Sequence, residues 1–248
     1  MSFIIAIDGP TSAGKTTMAS ILAQKLNFIN IQTGAMYRCI AYEMLKQGIG
    51  LNEEEKINNL LNTIQIEFKN QESGNQIVLL NGEDVSSDIR SKDVTNYTSD
   101  VASIKEVRKK LLEFQRRMAE KRNVVIEGRD TGTIVFPNAN VKFYLSANPT
   151  IRAKRKCEEL AKNGFQANFL EILKDMYKWD YDAINREEGA LKKAPGSISI
   201  DTSNLSVNQL EEMMMKEINK KFKEKVHLYE GGWEHEWNRI FRFSWWKW

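Results

Sequence analysis

The run Gly9-Pro10-Thr11-Ser12-Ala13-Gly14-Lys15-Thr16 constrains this chain more than any other eight residues. It fits the phosphate-loop pattern G-x-x-x-x-G-K-[S/T], which carries weight only between a strand and a helix. Both flanks are present. Residues 3–7 form a short apolar run rich in Ile, which predicts a buried strand. Apolar residues at 18, 21, 22 and 26 recur at helical spacing. Glycines in such a loop let the backbone curl until several N–H groups converge on phosphate oxygens. The helix N-terminus adds its positive end. These eight residues and Thr17 are the expected nucleotide cradle, with Lys15 on the transferring phosphates and the Thr16 hydroxyl as a magnesium ligand.

A phosphate loop predicts a nucleotide, not a reaction. The chain has no NKxD guanine motif, and it has neither the HRD nor the DFG motif of protein kinases. Further apolar runs at 28–31, 124–126, 141–145 and 198–200 predict four more buried strands. Helical patterns separate them. The expected fold is therefore α/β, a P-loop kinase with a five-stranded, mainly parallel sheet flanked by helices. Ligands belong at the C-terminal strand ends, where the sequence reads IDGP, IEGRD and SIDTS. Asp8, after the first strand, would either hold magnesium through water or brace the loop.

Two segments break the alternation. Residues 64–69 and 76–85 alternate apolar and polar residues, with an Asn-Gly turn inside the second, and predict a small antiparallel insert. Residues 151–190 are charged and helical, which suits a lid over the sheet. From residue 225 the chain becomes aromatic and holds five of the six tryptophans.

Charge and cysteines narrow the setting. A net charge of only +3 gives no global basic character, so no nucleic-acid partner is expected. Cys39 and Cys157 lie far apart without metal-ligand spacing, which fits a reducing compartment, the cytoplasm. No run approaches the ~18 apolar residues of a membrane span. Arg116 and Arg117 read as a solvated helix face, and His227 and His235 as surface residues.

Five stretches carry a resemblance: IDGPTSAGKTT, TGAMYR, NGEDVSSDIRSKDV, SDVASIKEVRKKLLEFQR and IEGRDTGTIVFP. Together they resemble the bacterial cytidylate kinases of the nucleoside monophosphate kinase family, over residues 3–222. The resemblance implies phosphoryl transfer from ATP with magnesium to CMP or dCMP, by a monomer. It assigns the acceptor site to Thr33, Arg38, Ser99, Arg108, Arg129 and Asp130. Guanidiniums grip a phosphate bidentately, which suits Arg38 and Arg129. Asp130 and Ser99 suit the cytosine edge, although Asp130 could instead pair with Arg129. Lys15, Arg129, Arg155 and Arg186 are the catalytic cations expected around the spreading charge.

The chain departs from the family in the lid. Where the family reads RDxxDxxR, Trp179 stands for the first Arg and Ala183 for the second Asp. A shifted stripe of Lys178, Asp182 and Arg186, at i, i+4 and i+8, would restore a cation–acid–cation face. The alternative is a weakened acceptor site. Gln32 and Thr33 replace a common Asp-Ser pair. The expected organisation is a kinase domain over 1–223, with the acceptor region at 34–105 and the lid at 151–190, then an extension over 224–248. That extension is expected to pack as an extra helix, in preference to a membrane surface or a partner. Two other functions compete: a kinase for another small acceptor, and a nucleotide-binding regulator with an altered lid.

Overall fold

The computed structural model describes residues 2–70, 76–162, 164 and 166–227. Five parallel strands form the central sheet: β1 (Ile4–Asp8), β2 (Ile29–Gln32), β6 (Val124–Gly128), β7 (Val141–Ser146) and β8 (Ile198–Asp201). Their spatial order is β2-β6-β1-β7-β8. Parallel neighbours cannot be joined by tight turns, so each crossover carries helices. The expected five-stranded α/β architecture is the observed one.

Alternation along β1 divides the core. Ile5 and Ile7 face one side, and Ala6 the other. The first side meets α1 (Lys15–Leu26) and α8 (Val207–His227). Met18, Leu22 and Leu26 of α1 are buried there. Each such side chain contributes about 1.5–3 kcal/mol relative to exposure. Leu210, Met214 and Ile218 of α8 join them, and Phe222 packs on Phe3 at the base of the sheet.

The opposite side meets α2 (Thr33–Gln47), α3 (Glu54–Thr63) and α5 (Lys105–Met118). It also receives the antiparallel insert β3 (Ile66–Asn70), β4 (Gln76–Leu80) and β5 (Glu83–Asp84). The turn between β4 and β5 puts Asn81 at φ 51° and Gly82 at φ 87°. Two consecutive positive φ values are what a two-residue hairpin of matching twist demands. Val78 and Leu80 fix the insert to the core. A 3-10 turn (Asp88–Arg90) and α4 (Lys92–Val101) then lead back to α5.

The segment expected as a lid is a hairpin of α6 (Pro149–Lys162) and α7 (Phe169–Asn185). Asn168 caps α7 by accepting from the Leu170 and Glu171 amides. Only Met176 and Ala183 of α7 are buried, whereas Leu170, Tyr177, Tyr181 and Ile184 are exposed. Helix α8 runs on to His227, through the expected boundary at 223. The Trp-rich residues 228–248, and His235 among them, lie outside the described residues.

Candidate active site

The loop after β1 curls because its backbone is forced to. Gly9 sits at φ 150°, and a Cβ there would collide with the Leu145 carbonyl of β7. Ser12 at φ 57° and Gly14 at φ 95° complete the bend. Lys15 opens α1 directly behind it. Its ammonium donates to the Pro10 carbonyl at 2.7 Å. Burial, with Arg129 adding to it, lowers its pKa to about 7.

Arg38, Arg129 and Arg186 stand around the same cleft of about 870 Å³. Arg38 of α2 donates to the Ile89 carbonyl at 3.0 Å and to the Thr95 hydroxyl at 2.7 Å. Burial, then Arg90, lowers its pKa to about 10. Arg129, just past β6, donates to the Thr11 hydroxyl at 2.7 Å, and burial lowers it as well. Arg186, at the end of α7, keeps its Nε buried with no hydrogen-bond partner among the described residues. Burial and then Arg108 lower its pKa.

Asp130 pairs with Arg108 of α5, and not with Arg129. Both side chains are about nine-tenths buried, and Arg108 also donates to the Ala102 carbonyl. Ser99 of α4 lies on the same wall and donates to Asp182 at 3.4 Å. The Thr33 hydroxyl donates to the Glu127 main-chain carbonyl at 2.9 Å, where β6 meets α2. Asp8, at the end of β1, is tied to the turn that follows β6. It accepts from the Thr131 amide and hydroxyl and from the Gly132 amide, all within 2.8 Å.

Residues 5–220 match the family model described as Cytidylate kinase. The chain belongs to the cytidylate kinase family. A cytidylate kinase from Caldicellulosiruptor saccharolyticus is 43% identical over 206 residues, covering 83% of this chain and 91% of that protein. One from Bacillus subtilis is 40% identical over 217 residues, covering 88% and 96%. One from Clostridioides difficile is 38% identical over 218 residues, covering 88% and 99%.

Against the cytidylate kinase pattern, the lid departures have a definite geometry. Trp179, Ala183 and Arg186 of the α7 segment line the cleft, at i, i+4 and i+7. The stripe of Lys178, Asp182 and Arg186 is therefore split. Lys178 is exposed, and Asp182, which does not itself line the cleft, accepts from Ser99 on the cleft wall. Successive helical residues lie 100° apart, and burial of Ala183 and Met176 sets which of them face inward. Arg155 of α6 lines the cleft and is held by Thr202, through the hydroxyl at 3.0 Å and the carbonyl at 2.6 Å. Thr202 in turn donates to the Ala13 carbonyl of the loop at 3.0 Å.

One residue lining this cytidylate kinase cleft and one packed behind it escaped the sequence reading. Glu127 accepts from the Thr16 hydroxyl at 3.1 Å. The apolar run that predicted its strand stops one residue earlier, although the IEGRD stretch was in view. A hydroxyl and a carboxylate side by side are the hard oxygen donors magnesium takes, with phosphates and waters filling its other positions. Arg152 is buried at 3% exposure among α6, α7 and the loop. It was hidden in the basic run RAKRK.

Proposed function

We propose that the chain transfers the γ-phosphoryl group of ATP to CMP and dCMP by direct in-line displacement, forming the diphosphates. One observation carries the reading beyond family membership. Lys15, Arg38 and Arg129 converge on one cleft and hydrogen-bond to neutral oxygens, and the carboxylates that act on them, Glu127 among them, form no ion pair with them among the described residues. A buried cation without an ion-pair partner is costly. The phosphates of two nucleotides supply that counter-charge.

In this reading the loop amides and Lys15 hold the donor's β- and γ-phosphates. Arg38 and Arg129 hold the acceptor phosphate in line, and exchange their neutral partners for it. The Arg108–Asp130 pair and Ser99 present donors and acceptors to the cytosine edge. Magnesium would be held by Thr16 and Glu127, where it would neutralise charge on the donor's phosphates. The acceptor phosphate is itself the nucleophile, so no side chain need form a covalent intermediate. Catalysis then rests on alignment and on fixed positive charge as charge spreads over the transferring group. Arg155 and Arg186 add to that charge from the lid, which also excludes water as a competing acceptor.

Among the described residues no helix is long and apolar enough to cross a membrane. We take the enzyme to act in the cytoplasm as a monomer on small-molecule substrates, which light scattering of the purified chain checks. The deciding experiment is coupled ADP release with CMP, dCMP, UMP, AMP and GMP as acceptors. Preference for the cytidine nucleotides supports the proposal. Faster turnover on another acceptor, or ATP turnover independent of any acceptor, overturns it.

A further inference from the structure

Arg152 sits in the first turn of α6 and does no visible work in the cleft. Its guanidinium nevertheless makes four hydrogen bonds. Nε donates to the Ala147 carbonyl at 2.9 Å, at the end of β7. Nη1 donates to the Thr11 carbonyl at 3.2 Å, in the phosphate loop. Nη1 and Nη2 together take the Asp180 carboxylate of α7 at 3.2 and 2.6 Å. One planar fork therefore joins the sheet, the loop and the lid helix. Only arginine offers that many donors in fixed directions.

Each partner has a consequence. Thr11 accepts from two sides at once: its carbonyl takes Arg152, and its hydroxyl takes Arg129 at 2.7 Å. The crest of the loop is thus pinned between the lid and the acceptor-side cation. Asp180 neighbours Trp179 in sequence. When its carboxylate is turned to Arg152, the rotation of α7 is set, and Trp179, Ala183 and Arg186 face the cleft. An α-helix free of that tie could turn, and a turn of one residue would swing Arg186 by about 100°.

We propose that Arg152, through Asp180 and the Thr11 carbonyl, is a positioning residue that locks the lid helix onto the phosphate loop in the arrangement competent for transfer. Arg152 does not touch substrate. It acts by holding Arg186 and Arg129 where the spreading charge forms, and by keeping water out. The inference rests on the kinase reading above, so wild-type transfer to CMP must be seen first. If wild type fails to phosphorylate CMP, that reading falls, and not this one.

The test compares Asp180→Asn, Asp180→Glu, Arg152→Gln and the Arg152→Gln/Asp180→Asn double variant. Four quantities are measured: kcat, the KM of each substrate, the ratio of ATP consumed to CDP formed, and Tm. Asp180→Asn is expected to lower kcat by about ten-fold or more, as for loss of preorganised charge. It should leave the KM of ATP nearly unchanged and raise the ratio of ATP consumed to CDP formed. Asp180→Glu, which keeps the charge, should recover much of kcat. In the double variant the second change should add little, because both break one tie. A merely structural role would lower Tm and the active fraction without changing the ratio of ATP consumed to CDP formed. An unchanged ratio, or losses that multiply in the double variant, overturns the proposal. If Arg152→Gln does not fold, the contrast between Asp180→Asn and Asp180→Glu still decides it.

Discussion

The ammonium of Lys15 lies 2.7 Å from the carbonyl oxygen of Pro10, five residues back in its own loop. Burial and the nearby Arg129 hold its pKa down at about 7, from an ordinary 10.5. Between those values the unfolded chain binds the extra proton, so this residue makes stability rise with pH across that window. Nucleotide binding runs the other way. Phosphates favour the ammonium, so ATP should bind fully below the lower value and more weakly as pH rises above it. Calorimetry at about pH 8, in buffers of different ionisation enthalpy, should show net proton uptake on ATP binding. Binding with no proton exchanged would contradict this.

Lys15→Ala should abolish transfer and leave the fold in place, since the side chain faces the loop and not the apolar core. The expected loss in kcat is at least ~10²-fold, the scale for one preorganised charge in the transition state. Near-native turnover would remove the phosphate loop from the mechanism.

Arg129→Ala and Asp130→Asn should differ in kind. Arg129 lies beside Thr11 at the junction of donor and acceptor sites, so its loss should slow every monophosphate acceptor alike. Asp130 is paired with Arg108, so its change should narrow the preference for CMP over UMP. Asn is the better substitution here. Asp130→Ala would strand a buried guanidinium, at about 3–5 kcal/mol of stability. Equal losses on both acceptors in Asp130→Asn would count against base reading.

Asp182→Ala probes the other side of the acceptor wall. Among the described residues its carboxylate reaches only the Ser99 hydroxyl, at 3.4 Å. A small rise in the KM of CMP is expected, with the KM of ATP unchanged. A large fall in kcat would mean that Asp182 turns into the cleft during turnover.

Truncation after His227 should leave kcat within a few-fold, because the family match ends at residue 220. If the tail packs on the kinase body as proposed, Tm should fall. An unchanged Tm with loss of liposome binding would favour a membrane surface instead.

Much of the sheet was legible because buried parallel strands are apolar throughout, as in residues 124–126. The phosphate loop was legible because its chemistry and its geometry need the same residues. Glu127 was not, because a polar residue at the end of an apolar run looks like the strand's edge, whereas β6 continues to Gly128. The alternative that paired Asp130 with Arg129 does not hold for a related reason. Arg129 is adjacent in sequence, but Arg108 reaches Asp130 from α5, a pairing that only tertiary packing creates. The phase of α7 was out of reach too. Charge spacing favoured Lys178 and Asp182, but the inward face follows burial of Met176 and Ala183 and the tie from Asp180 to Arg152.

One side of the sheet is completed by residues from both ends of the sequence: Phe3, Ile5 and Ile7 meet Leu210, Met214, Ile218 and Phe222. During synthesis, that layer stays open until α8 has left the ribosome. The opposite layer, which draws on residues 6–135, is available much earlier. A nascent chain therefore lacks part of that cover for most of its production, and the surface that Leu210, Met214 and Ile218 later bury is left open. Such exposed surface is what favours aggregation and chaperone capture. That late layer includes Ala13 of the phosphate loop, so the loop is backed only once Leu210 has been made.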